Sequence, residues 1–139
     1  MSKYYLANSV IKNINSLKAE RLRNAVLDFI NYTPIDFVVN WDGALRTAEQ
    51  QNQKFVDGYS KCDGYNIKSA HQFGYAVDLV PYINGRATWD LEHAKALGGS
   101  FKTYCNMKNI PVLWGGDWGN DGVFQREDFD PYHFEELRF

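Results

Sequence analysis

Ser69-Ala70-His71-Gln72-Phe73-Gly74-Tyr75-Ala76-Val77-Asp78 sets a histidine and an aspartate seven positions apart, with a glycine between them. A second histidine, His133, stands far downstream in Asp130-Pro131-Tyr132-His133-Phe134-Glu135. Two imidazoles and one carboxylate are the protein-ligand count of a catalytic zinc site that keeps one position open. On a single straight strand, an odd separation would point His71 and Asp78 to opposite faces of the sheet. They converge only if the chain turns or bulges between them, and Gly74 is the residue that permits it. Tyr75 to Ile83 then reads as a strand. His71 is therefore expected at the start of a strand and Asp78 on it, with His71, Asp78 and His133 holding the metal.

Downstream, Asn84-Gly85 is a hairpin signal, and Arg86 to Trp89 would be the returning strand. Asp90 is a candidate N-cap for a helix over about 91–108, in which Gly98-Gly99 predicts a kink or a break. His93, in that helix, reads as an ordinary surface histidine. Pro111 to Trp114 is a short strand, and the glycine-rich 115–122 stretch a loop whose aromatics are suited to line a site. A last strand runs through His133.

Upstream, residues 1–15 carry weak signals. The spacing of Leu17, Leu22, Val26, Leu27 and Ile30 predicts a helix over about 17–31, with Ser16 as N-cap. Asp36 to Trp41 reads as a short strand and Asp42-Gly43 as a turn. Thr47 and Gln50 form a capping box that opens a helix to about Val56, closed near Gly58. Arg46 stands just before that helix, where a rigid scaffold can present a side chain.

The chain has 139 residues, which suits one domain, and 45% hydrophobic content supports a core. A net charge of −2 argues against electrostatic nucleic-acid binding. No apolar run reaches the ~20 residues that span a bilayer, and no signal-peptide core is evident, so synthesis in the cytoplasm and no stable membrane association are expected. Two cysteines, Cys62 and Cys105, make no disulfide framework. Cys105 reads as a buried thiol in a helix.

A zinc hydrolase also needs a base. Asp130 precedes His133 by three residues, and Pro131 breaks a simple strand there, so Asp130 can reach the same cleft. A carboxylate so placed can take a proton from water and return it to a leaving amine. Glu135 shares strand parity with His133, which suits support of that ligand from behind or, alternatively, the base role. Glu136 reads as a solvated charge.

Together, Ser69-x-His71-x-x-Gly74-x-Ala76-x-Asp78, Trp114-Gly-Gly-Asp117-Trp118, Asp130-x-x-His133-Phe134 and Leu45-Arg46-Thr47-Ala48-Glu49-Gln50 resemble the D-alanyl-D-alanine carboxypeptidase (VanY-type) metallopeptidase family. Within it, the likeness is strongest to bacteriophage L-alanyl-D-glutamate endopeptidases, the single-domain endolysins, and it runs from about Asp36 to Phe134. The resemblance implies an α+β fold, a small antiparallel sheet backed by helices, of the D-Ala-D-Ala peptidase/hedgehog type. It implies zinc on His71, Asp78 and His133, with Asp130 as base where other branches have Glu. Arg46 would stabilise the oxyanion or a substrate carboxylate, and Ser69, Trp114 and Asp117 would contact substrate. The implied substrate is the peptidoglycan stem peptide, cut by a zinc-activated water in a monomeric enzyme released to the wall after synthesis. Nothing carries over to the first 35 residues.

Three other readings stay open on the residues. A D-alanyl-D-alanine carboxypeptidase would share the whole site. A wall-binding module would keep zinc for structure only. A non-haem iron oxygenase also uses two His and one carboxylate.

Overall fold

The chain is described here from a computed structural model, over residues 3–120 and 129–137. In chain order the elements are α1 (Asn8–Asn15), α2 (Glu20–Phe29), β1 (Phe37–Val38), α3 (Ala48–Val56), β2 (Ala76–Asp78), β3 (Val80–Ile83), β4 (Arg86–Ala87), α4 (Leu91–Met107), β5 (Val112–Trp114) and β6 (His133–Glu136). The α+β class is as expected, but the strands form two antiparallel sheets of three, ordered β1-β3-β4 and β2-β6-β5, rather than one. The expected strand from Tyr75 to Ile83 divides at Leu79. Residues before it pair with β6, and those after it pair with β1 and β4.

The helix expected from 17 to 31 is corrected at its start. Ser16 is the C-cap of the earlier helix α1, with Oγ donating to the Asn13 carbonyl at 2.6 Å. The chain then breaks, because the Lys18 and Ala19 N–H groups both bond to the Gly74 carbonyl, at 2.9 and 3.0 Å. Leu17 and Ala19 are buried at the break, and the second helix begins only at Glu20. Gly74 has φ +78°, and a Cβ there would come within 2.4 Å of the Lys18 side chain. Positive φ and close backbone approach both require glycine at this position.

Other local signals hold. Thr47 and Gln50 make a reciprocal capping box on α3. Asn84 and Gly85 turn with φ of 53° and 80°, the two positive values of a type I′ hairpin. The Asp90 side chain accepts from the N–H groups of Glu92 and His93. The expected break at Gly98-Gly99 does not occur, and α4 runs on unbroken. A Cβ on Gly98 would lie 2.5 Å from Trp114 Nε1, so this glycine makes room for the indole.

The core lies between the helices and the sheets. Phe29 packs on Phe37 and Phe101 with ring centroids 5.7 and 5.0 Å apart. Phe101 meets Phe134 edge-on at 4.8 Å, and Trp114 stacks on Phe134 at 6.1 Å. Each such side chain contributes about 1.5–3 kcal/mol when fully buried. Phe134 sits on β6, the middle strand of its sheet, so the core anchors the strand that also carries His133.

Candidate metal centre

His71 lies in a tight turn that leads into β2, at the entry to the strand that carries Asp78. The turn is closed by the Gly74 N–H on the His71 carbonyl (3.1 Å) and the Tyr75 N–H on the Ala70 carbonyl (3.1 Å). The ring is buried, with Nδ1 2.9 Å from the Ala44 carbonyl. A carbonyl only accepts, so Nδ1 carries the hydrogen and Nε2 keeps a lone pair. That Nε2 is 3.3 Å from Asp78 Oδ1.

His133 is oriented by the same logic with its nitrogens exchanged. Its Nε2 is 2.9 Å from Glu135 Oε1, and its Nδ1 is 3.4 Å from Asp78 Oδ1. A carboxylate only accepts, so Nε2 donates to Glu135, whose carboxyl this bond holds below its ordinary range, and Nδ1 is the ring nitrogen left facing Asp78 to serve a cation. A carboxylate behind a ligating imidazole fixes its tautomer and raises its basicity.

Three electron-pair donors therefore face one another: His71 Nε2, Asp78 Oδ1 and His133 Nδ1, all within 4.8 Å of each other. Asp78 Oδ1 is buried and has no hydrogen-bond partner. An orphaned carboxylate oxygen between two imidazole nitrogens is costly unless a cation joins them. The donor set of two nitrogens and one carboxylate oxygen suits zinc. Without a cation, the pocket draws a proton. Burial opposes charge on both groups, yet the two imidazoles hold Asp78 well below the usual carboxylate range. Burial alone would lower His133, but the negative carboxylates of Asp78 and Glu135 beside it push it up to about 9.

Arg46 closes the other side of Asp78. Its Nη2 is 3.0 Å from Asp78 Oδ2, Nε donates to the Asp42 carbonyl at 2.6 Å, and Nη1 donates to Gln51 Oε1 at 3.1 Å. Three of the five N–H groups of a guanidinium are thus engaged inside the protein. Ser69 Oγ donates to the same Gln51 oxygen at 2.7 Å.

Asp130 stands in the turn leading into β6. Its N–H bonds to the Gly115 carbonyl (2.9 Å), and the His133 N–H bonds to its carbonyl (3.2 Å). A Cβ on Gly115 would meet the Asp130 carbonyl oxygen at 2.3 Å, so only glycine lets this turn settle. Burial and then the charge of Asp78 raise the Asp130 carboxyl above its ordinary value.

The expectation that Trp114 contacts substrate is corrected. Trp114 is buried, stacked in the core, with its indole N–H on the Pro131 carbonyl at 2.9 Å. The aromatic beside the site is instead Trp118, whose ring lies 5.4 Å from that of His133. Asp117 belongs to the turn that carries Trp118, its N–H on the Trp114 carbonyl. Glu136 is not a free charge but an ion-pair partner of Arg21 at 2.7 Å. His93 and Cys62 are outside the ligand cluster. A groove of about 740 Å³ between α2 and α4 is lined by residues such as Tyr32, Tyr104 and Met107 and shares none with the cluster.

Sequence reasoning missed Gln51 and the Ala44 carbonyl, and did not settle the place of Trp118. Gln51 had one available signal, an amide five residues after Arg46 on a helix with little else to bury.

Known proteins resemble this chain over most of its length. The family described as phage L-alanyl-D-glutamate peptidase matches residues 2–137. The L-alanyl-D-glutamate peptidase of Escherichia phage T5 is 30% identical over 129 residues, covering 89% of this chain and 91% of that protein. The crystal structure of the Serratia marcescens L-Ala D-Glu endopeptidase ChiX superposes with a TM-score of 0.74 at 21% identity, covering 97% of this chain and 91% of that one. The first 35 residues, onto which the motif resemblance carried nothing, fall within the matched range. The chain belongs to the phage L-alanyl-D-glutamate peptidase family.

Proposed function

We propose that this protein is a zinc peptidase, an endolysin, that hydrolyses the L-alanyl-D-glutamate bond of peptidoglycan stem peptides. The observation carrying the reading is the convergence of three lone-pair donors whose tautomers are set by Ala44 and Glu135. Family membership supplies the bond.

His71 Nε2, Asp78 Oδ1 and His133 Nδ1 would hold the zinc, which supplies a Lewis acid that polarises a carbonyl and acidifies water. Asp130 accepts a proton from the attacking water. The water oxygen bonds to the alanyl carbonyl carbon, the C–N bond breaks, and Asp130 returns the proton to the leaving amine nitrogen. Arg46 clamps Asp78 Oδ2, and its two remaining N–H groups are assigned to the oxyanion, a role worth ~2.7–4 kcal/mol per donor elsewhere. Glu135, whose Oε1 accepts from Nε2, is assigned to orienting His133, and the base role to Asp130. Ser69 and Asp117 are assigned to the substrate side of the cleft, with Trp118 as a wall.

The chain is read as one peptidase domain acting as a monomer. No helix among the described residues is long and apolar enough to cross a membrane. Synthesis in the host cytoplasm followed by release to the wall fits an endolysin.

The test is digestion of purified peptidoglycan with mass spectrometry of the released peptides, with and without chelator. New L-alanine and D-glutamate ends that vanish with chelator and return with zinc are expected. Release of terminal D-alanine alone would assign a carboxypeptidase instead. Stoichiometric zinc with no cleavage would leave only a binding module.

A further inference from the structure

α3 has almost nothing apolar to bury. Its sequence is Ala-Glu-Gln-Gln-Asn-Gln-Lys-Phe-Val, and its one buried residue is Gln51, at 0% exposure. Burying a primary amide is costly unless every polar atom is bonded. Here all are. Gln51 Nε2 donates to Ser60 Oγ at 2.9 Å and to the Cys62 carbonyl at 3.0 Å. Its Oε1 accepts from Arg46 Nη1 at 3.1 Å and from Ser69 Oγ at 2.7 Å.

Chemistry fixes which end of the amide points where. The Cys62 carbonyl only accepts and the Arg46 guanidinium only donates, so the nitrogen must face Cys62 and the oxygen Arg46. The Ser69 hydroxyl proton is then committed to Gln51, and what Ser69 Oγ can offer a substrate is an acceptor lone pair. One side chain thereby ties three segments together: the turn ending in Arg46, the loop at 60–62, and the turn running from Ser69 through His71. Arg46 carries the constraint to Asp78 Oδ2. Asp42 is held as well, its carboxylate on Lys54 at 2.7 Å and its carbonyl on Arg46 Nε.

We infer that Gln51 is a positioning residue of the peptidase centre: it sets the guanidinium of Arg46 against Asp78 and aims the Ser69 hydroxyl, so that the ligand set is ordered before the metal binds. The inference rests on the metallopeptidase reading, but its first readout needs no substrate. A corollary for specificity is that Ser69 selects a substrate group that donates, such as a peptide N–H.

The opposing reading is that Gln51 only pins α3 to the 60–62 loop. Three variants separate the two: Gln51→Met, which keeps length and loses all four bonds; Gln51→Glu, which keeps an acceptor for Arg46 and Ser69; and Ser60→Ala, which disturbs the loop side alone. Each is checked for folding by circular dichroism, titrated for zinc against a competing chelator, and assayed at saturating zinc for kcat and KM on a soluble stem peptide. Gln51→Met is expected to stay folded and to bind zinc about 10–100-fold more weakly, the usual cost of losing an outer-shell partner. Its kcat should fall more than its KM rises. Gln51→Glu should also weaken zinc at least about tenfold, because a new carboxylate competes with Asp78 for Arg46. Ser60→Ala should match the parent in both.

A folded Gln51→Met with parental zinc affinity and kcat would overturn the inference. So would a Ser60→Ala variant that loses as much zinc affinity as Gln51→Met. If Gln51→Met does not fold, Gln51→Glu decides, and parental zinc affinity in that folded variant overturns the proposal. A parent protein that binds zinc but cuts no peptidoglycan would instead defeat the functional reading and leave the zinc comparison intact.

Discussion

Asp78 and His133 stand directly opposite one another on β2 and β6, and the Asp78 N–H bonds to the Gly43 carbonyl at 2.7 Å rather than across the strand pair. Opposed residues that do not exchange backbone bonds have the closest side chains in an antiparallel ladder. Register alone therefore brings two of the three proposed ligands together, and a one-residue slip would turn His133 to the other face. Asp78→Asn keeps the shape of this pair but removes the charge that both the cation and Arg46 require. It should fold and yet lose more zinc affinity than the roughly 10–100-fold of an outer-shell change. Chelator competition measures this, and unchanged affinity would remove Asp78 from the ligand set.

Glu135 and Asp130 are separated by a pair of variants. Glu135→Ala should weaken zinc by about 10–100-fold while leaving appreciable turnover once zinc is saturating. Asp130→Asn should do the reverse, binding zinc as the parent does and losing about 10²–10⁴-fold in kcat. Metal titration with turnover on the same preparations checks both, and an exchange of the two phenotypes would make Glu135 the base.

Zinc should stabilise a fold that already exists without it. The aromatic core of Phe29, Phe37, Phe101 and Phe134 includes no metal ligand, so the chelated protein should still melt cooperatively, unlike a zinc finger. At free zinc about 100 times Kd the gain is ~2.7 kcal/mol, or roughly 5–15 °C in Tm. Calorimetry with and without chelator gives the shift, and a melt that disappears on chelation would contradict this account.

Gly98→Ala inverts a familiar rule. In an ordinary helix interior the change would stabilise by ~1 kcal/mol. Here the new methyl would sit 2.5 Å from Trp114 Nε1, and overpacking costs about 1–3 kcal/mol. Net destabilisation is expected in urea denaturation. Because Trp114 also holds the Pro131 carbonyl, turnover should fall with it.

Cys105 is fully buried in α4, and burial pushes its thiol up to about 12. The thiolate is the reactive form, so at neutral pH Cys105 should be silent toward a thiol reagent in the native protein. Cys62, partly exposed, should react. One thiol should titrate in buffer and two in denaturant.

How much of this was legible in the residues depended on the range of the interactions. The capping box at Thr47, the Asn84-Gly85 hairpin and the Asp90 cap are local chemistry, readable within four residues. The convergence of His71, Asp78 and His133 was legible because few residue types bind zinc and Gly74 marked the needed turn. The break after α1 was not, since it depends on a carbonyl at Gly74 capturing two N–H groups more than fifty positions upstream. α1 itself, Asn-Ser-Val-Ile-Lys-Asn-Ile-Asn with no side-chain cap, has weak propensity and is held by burying Val10 and Ile14. Trp114 looked like a site residue by position, but only packing against Gly98 and Phe134 reveals it as core. Gln51 was hidden in a polar helix, where glutamines are usually solvated.

The strand order β2-β6-β5 has a consequence for how the enzyme comes into being. β6 fills the centre of its sheet, yet of the three strands it is the last to leave the ribosome. Until it inserts, β2 and β5 have no shared neighbour, and His71 and Asp78 lack His133, the third member of the proposed ligand set. A nascent chain is therefore catalytically silent, and activity begins with the closure of a long, slow-forming loop. For a peptidase of this family, the sheet topology itself delays competence until translation has passed β6.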